Sequence, residues 1–93
     1  MTYEIRLTRP ARRALAETLP EKIVHVVVEF MQGPLAENPH RVSKALEAPL
    51  DGLRSARRGQ YRIIFSVDDQ NMVVLIRQIA HSDDVYRPSS EER

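Results

Sequence analysis

The stretch SARRGQYRII, Ser55 to Ile64, sets three arginines around one glycine and runs directly into an apolar segment. A guanidinium is planar, keeps its charge and can take two phosphate oxygens at once. Arginines at a hairpin tip are commonly just solvated charge that keeps sheet edges from pairing with other chains. Arg62 is harder to explain that way, because it lies inside YRIIFSV, beside isoleucine and phenylalanine, where a half-buried strand has no need of a guanidinium. It is the first candidate for a functional residue, with Arg57 beside it to hold phosphate. His81 and Tyr86 lie just past the last apolar run. Each has a plain reading, His81 as a strand-end cap and Tyr86 as cover for the core edge. Together with the arginines they make a metal-free set for phosphodiester cleavage: a histidine to move protons near neutral pH, cations for the charge on phosphorus, and a ring for a base. Arginine stays protonated, so the proton must pass to His81, a tyrosinate or a neighbouring group.

Further cations gather nearby. Arg41, Lys44, Arg54 and Arg58 belong to the same basic middle of the chain and are candidate RNA or phosphate contacts, although the formal net charge is only +1. Side chains one residue apart on a strand face opposite ways, so Arg54 and Arg58 cannot share a face with Arg57 unless the turn twists them. The acidic pairs Asp68-Asp69 and Asp83-Asp84 fall in turn-like segments, where adjacent carboxylates are mostly solvated. The chain has no cysteine and only three scattered histidines. Neither a disulfide framework, a thiolate nucleophile nor a zinc site is expected, and no metal or cofactor is implied.

The elements that must position these residues can be read from periodicity. YEIRL, Tyr3 to Leu7, alternates apolar and charged side chains as a one-face-buried strand does. Thr8 suits an N-cap and Pro10 a first helical turn, after which Ala11, Ala14, Leu15 and Leu19 recur at helical spacing. IVHVVVEFM is rich in β-branched residues, yet Ile23, Val26, Val27, Phe30 and Met31 share one helical face. Pro20 before it, Gly33 as a C′ residue and Pro34 beyond decide for a second helix. GPLAENPHRVSKALEAPLDG shows no sustained period and reads as a long loop with at most a short turn of structure, carrying Arg41 and Lys44. Leu53 to Arg58, Tyr61 to Val67 and Met72 to Ile79 then form a three-stranded antiparallel meander. The expected fold is α+β: one strand, a two-helix hairpin and the meander, with helices on one face of a small, mainly antiparallel sheet.

With 93 residues there is room for one domain, assigned to residues 1–88, with a frayed polar tail at 89–93. The N-terminus is charged within its first residues and the apolar runs are too short for a bilayer, so a cytoplasmic protein with no membrane partner is expected.

Four fragments, ENPHRVSKAL, LRSARRGQYRIIFSVDD, VVLIRQIAH and HSDDVYR, resemble in content and order the RelE/ParE superfamily of bacterial toxin-antitoxin toxins, specifically its RelE-like branch. The resemblance implies an endoribonuclease that enters the ribosomal A site and cuts mRNA without metal, the ribose 2′-hydroxyl attacking the adjacent phosphate. It also implies a cognate antitoxin that holds the toxin inactive, and a toxin that does not itself read DNA. Arg62 falls on the arginine of the family's YR strand motif, and Tyr86 on its C-terminal tyrosine placed to meet the mRNA base. Lysines that ribonuclease members carry before the hairpin fall on Leu53 and Ser55. Where many relatives have His-Arg-Arg, this chain has His81-Ser82-Asp83. The lost basic positions leave two alternatives: a ParE-like DNA gyrase inhibitor, or a degenerate non-catalytic antitoxin-binding co-repressor.

Overall fold

The structure is a computed structural model that describes residues 2–81; Tyr86, Asp83-Asp84 and the 89–93 tail lie outside the described residues. Strand β1 (Glu4–Leu7) leads into helix α1 (Arg9–Arg13), which continues as a π-helical turn over Ala14–Thr18. Helix α2 (Glu21–Gln32) and the single turn α3 (Pro34–Glu37) follow, then strands β2 (Lys44–Ala45), β3 (Arg54–Arg58), β4 (Tyr61–Asp68) and β5 (Val73–His81). The sheet has five strands in the order β1-β5-β4-β3-β2, with β1 parallel to β5 and every other pair antiparallel. The α+β reading and the meander therefore hold. The long segment expected as a loop instead contains α3 and β2, because Leu35 and Ala36 bury themselves in the core and Lys44–Ala45 pair with β3.

One face of the sheet carries the core. Ala11 of α1, Val27, Phe30 and Met31 of α2 and Leu35 of α3 pack on Ala56, Ile63, Phe65, Val74, Ile76 and Ile79. The helical spacing read in IVHVVVEFM is thus used, except that Val26 stays exposed. Gly33 ends α2 as its C-cap, one position inside the C′ place expected, with φ −114°; what limits the position is space, since a Cβ would stand 3.3 Å from the Glu29 carbonyl oxygen.

Strand β5 buries Val74, Ile76 and Ile79, a spacing that simple alternation cannot provide. A bulge resolves it. Ile64 pairs with Gln78 and Phe65 with Ile76, which leaves Arg77 without a partner on β4 and returns Ile79 to the core side. The Arg77 carbonyl, released from the ladder, accepts a hydrogen bond from Thr8 Oγ1 at 3.1 Å. The same Thr8 oxygen accepts from the Ala11 N–H at 3.4 Å as the N-cap of α1. One hydroxyl thus fixes the start of the helical layer against the irregular point of the sheet.

The β4–β5 turn is fastened to two other segments. Tyr3 Oη donates to Asp69 Oδ1 at 2.7 Å, and His40 Nε2 lies 2.8 Å from the same oxygen. These contacts hold the Asp69 carboxyl below its ordinary pKa, the tyrosine hydrogen bond contributing most and the histidine next. Asp68 is likewise lowered, by the Asn71 side chain and then the Asn71 backbone N–H.

Thr8→Ala is expected to lower stability by about 1 kcal/mol, with Thr8→Ser restoring most of it, as read by urea denaturation. Because the folded-state pKa of Asp69 is depressed, its contribution is complete above the ordinary aspartate value and drains away as pH falls through the lowered one. Asp69→Asn is therefore expected to destabilise the protein at neutral pH and to flatten the acid limb of a thermal-melt series. An unchanged acid limb would contradict this role.

Candidate phosphate-binding site

The β3–β4 hairpin is closed by Gly59 and Gln60, with Gly59 at φ +63°, a conformation that glycine adopts without strain. The two-residue loop sets the register: Arg58 pairs with Tyr61, Arg57 with Arg62, Ala56 with Ile63 and Ser55 with Ile64. Ala56 and Ile63 point into the core. Alternation therefore puts Arg57, Arg62 and Ser55 together on the opposite face, which the helices leave open. On that face Lys44 of β2 lies across from Ser55.

These residues line a cavity of about 450 Å³, whose described walls are Arg41, Val42, Ser43, Lys44, Ala45, Leu46, Ser55, Ala56, Arg57 and Arg62. Four cations and no carboxylate border it among the described residues. Arg62 is half-buried, and its Nη1 donates to the Oγ of buried Ser55 at 3.5 Å. Arg57 is exposed, with its Nε donating to the Gly59 carbonyl at 3.1 Å, so the turn that sets the register also orients this guanidinium. A rigid pair of guanidiniums beside an ammonium and a further arginine is suited to a phosphodiester anion.

Three of the expected site residues stand elsewhere. Arg54 Nε donates to Ser43 Oγ at 2.7 Å, and its Nη2 reaches the carbonyls of His40 and Ser43 at 3.3 Å each. It braces the segment before β2 instead of lining the cavity. Arg58 is not simple tip charge: its guanidinium carbon stands 3.7 Å from the centroid of the Phe30 ring, on the helical side, and Nη1 donates to the Arg57 carbonyl. His81 pairs in register with Tyr61, one row beyond the Arg62–Ala80 pair. Its ring meets that of Tyr61 edge-on, centroids 5.4 Å apart, and Nε2 lies 3.1 Å from Gln60 Oε1. The structure therefore unites Arg41, Lys44, Arg57 and Arg62, and leaves Arg54, Arg58 and His81 outside the described lining. Ser55 is the site residue that composition could not flag. Its signal was positional: it lies two residues before Arg57, on the same side of the strand.

Among the described residues no group of three or more His, Cys, Asp or Glu side chains is placed to hold a metal ion. No helix among them is long and apolar enough to cross a membrane.

Comparison with known proteins gives this architecture a family. A family model described as the ParE toxin of the type II toxin-antitoxin system parDE matches residues 5–86, and the chain belongs to that family of toxins. Within it the similarity is to RelE proteins. Toxin RelE of Mycobacterium tuberculosis is 47% identical over 85 residues, covering 91% of this chain and 87% of that protein. Toxin RelG of the same organism is 45% identical over 87 residues, covering 94% and 99%. The toxin-antitoxin complex RelBE2 from M. tuberculosis contains a chain of the same fold, with TM-score 0.82 and 43% identity over 87% of this chain and 99% of that one. The isolated Escherichia coli RelE toxin shares the fold at TM-score 0.72 and 16% identity, over 97% of each chain.

The two sides of β3 are expected to respond differently to truncation. Arg58→Ala should cost about 1 kcal/mol of stability through loss of the ring contact and leave binding of a short RNA within about twofold of the parent. Arg57→Ala should weaken that RNA binding and leave the melting temperature nearly unchanged. Parallel denaturation and fluorescence-anisotropy titrations check both.

Proposed function

We propose that this toxin is a metal-independent endoribonuclease that cuts mRNA in the ribosomal A site, stops translation and is neutralised by a cognate antitoxin. The observation that carries the reading is the Arg57–Arg62 cross-strand pair in a cavity whose described walls hold four cations and no carboxylate. Such a pair takes the two non-bridging oxygens of a phosphodiester. It gains strength as the 2′-hydroxyl attacks and negative charge builds on the equatorial oxygens. Arg41 at the rim extends the positive surface toward a flanking phosphate. Tyr86 is assigned to stack on the base beside the cut. His81, expected to exchange a proton, stands one row away with Tyr61 and Gln60, on the side of the sheet that alternation turns away from Arg62, and is given no step at this phosphate.

The antitoxin assignment draws on the mycobacterial relative that was crystallised as a toxin-antitoxin complex. A second reading, a gyrase-directed binding toxin, is favoured by the ParE description of the family model.

Arg62→Ala is expected to slow cleavage of ribosome-bound mRNA by about 10²–10³-fold, measured by mapping new 5′ ends after adding purified toxin to a translating extract. Cutting at the parent rate would sink the assignment of Arg62. Inhibition of gyrase supercoiling by the pure protein, with no new mRNA ends, would favour the second reading.

A further inference from the structure

Cleavage of RNA through the 2′-oxygen requires that the departing 5′-oxygen gain a proton, and the arginines of the cavity cannot supply it. A guanidinium effectively never gives up its proton, whereas a primary ammonium is charged at neutral pH and can. Among the described walls of the cavity, Lys44 is the one side chain with this property. The two hydroxyls on the walls are poor acids for this step: Ser43 Oγ already donates to the Pro39 carbonyl at 2.6 Å and accepts from Arg54, and Ser55, whose Oγ accepts from Arg62, is an alcohol no more acidic than the departing 5′-alcohol itself.

Placement agrees with the chemistry. Lys44 is exposed and lies directly across from Ser55, which is two residues from Arg57 on the same face. A diagonal cross-strand neighbour of this kind stands about 7–8 Å away. A lysine stem spans most of that distance, so the ammonium reaches a phosphate held between Arg57 and Arg62. None of the ion pairs among the described residues involves Lys44, so no described carboxylate holds its ammonium back from the cavity.

We infer that Lys44 is the general acid of the cleavage, an assignment that rests on the ribonuclease reading above. The 2′-hydroxyl loses its proton to a solvent base and its oxygen bonds to phosphorus. As the bond from phosphorus to the 5′-oxygen breaks, the Lys44 ammonium passes a proton to that oxygen. The products are a 2′,3′-cyclic phosphate and a 5′-hydroxyl end, and the neutral amine recovers its proton from water.

The test compares Lys44→Arg with the parent toxin on two ribosome-bound mRNAs, one natural and one with sulfur replacing the 5′-oxygen at the cut. A thiolate leaves without a proton, so a missing acid matters only for the natural linkage. Lys44→Arg, which keeps the charge, is expected to cut the natural mRNA about 10²–10⁴-fold more slowly than the parent and the sulfur-containing one at nearly the parent rate. Arg62→Ala, which removes charge stabilisation, is expected to be slow on both. Parent-like cutting of the natural mRNA by Lys44→Arg, or an equal loss on both substrates with an unchanged thermal melt, overturns the assignment while the ribonuclease reading stands. If the parent toxin cuts neither mRNA, both readings fall together.

Discussion

Two guanidinium groups facing each other across an antiparallel ladder repel, and like charges in that position normally weaken a sheet. The register of the β3–β4 hairpin nonetheless sets Arg57 directly opposite Arg62. Much of the rest of the molecule serves to hold that juxtaposition. Gly59 permits the tight turn that fixes the pairing, and its carbonyl steadies Arg57. Ile63 and Phe65, fully buried on the other face, prevent the strand from slipping by one residue, because a slip would exchange core for charge. An anion between the two arginines relieves the repulsion, which makes the empty arrangement costly and the occupied one favourable.

The helical layer meets the sheet at a different kind of constraint. Strand β5 needs three buried aliphatic residues at a spacing a regular strand cannot give, and the bulge at Arg77 provides it. A bulge leaves a carbonyl to satisfy, and Thr8 does so while also capping α1. The site is built on β3 and β4 and the bulge lies between β4 and β5, so the two share β4, and the helices that pack on β5 also support the strand that carries Arg62.

The sequence made the main architecture readable because the signals there are local. Alternation in YEIRL, the Pro20 and Gly33 limits of α2, and the turn residues between the meander strands each act within a few positions. What stayed hidden depended on contacts far apart in the chain. The two-residue β2 has no pattern of its own and exists because it pairs with Ser55 and Arg54. The bulge at Arg77 needed the partner strand to be visible. The placement of Arg62 and Arg57 on one open face was legible from a charge in an apolar strand and from alternation. The posts of Arg58 on Phe30 and of Arg54 on Ser43 and His40 were not, since a composition cannot tell a guanidinium offered to a ligand from one already spent on the fold.

That last distinction has a consequence for how the hairpin tolerates change. Arg54, Arg57, Arg58 and Arg62 are chemically alike, yet the pleat sorts them into struts within the fold on one side and, on the other, walls of the cavity proposed to take phosphate. Loss on the strut side loosens the body of the protein. On the proposed reading, loss on the cavity side leaves a well-built molecule with nothing to grip. Drift at neighbouring codons can therefore yield two unlike failures, a toxin that does not persist and a toxin that persists but is silent.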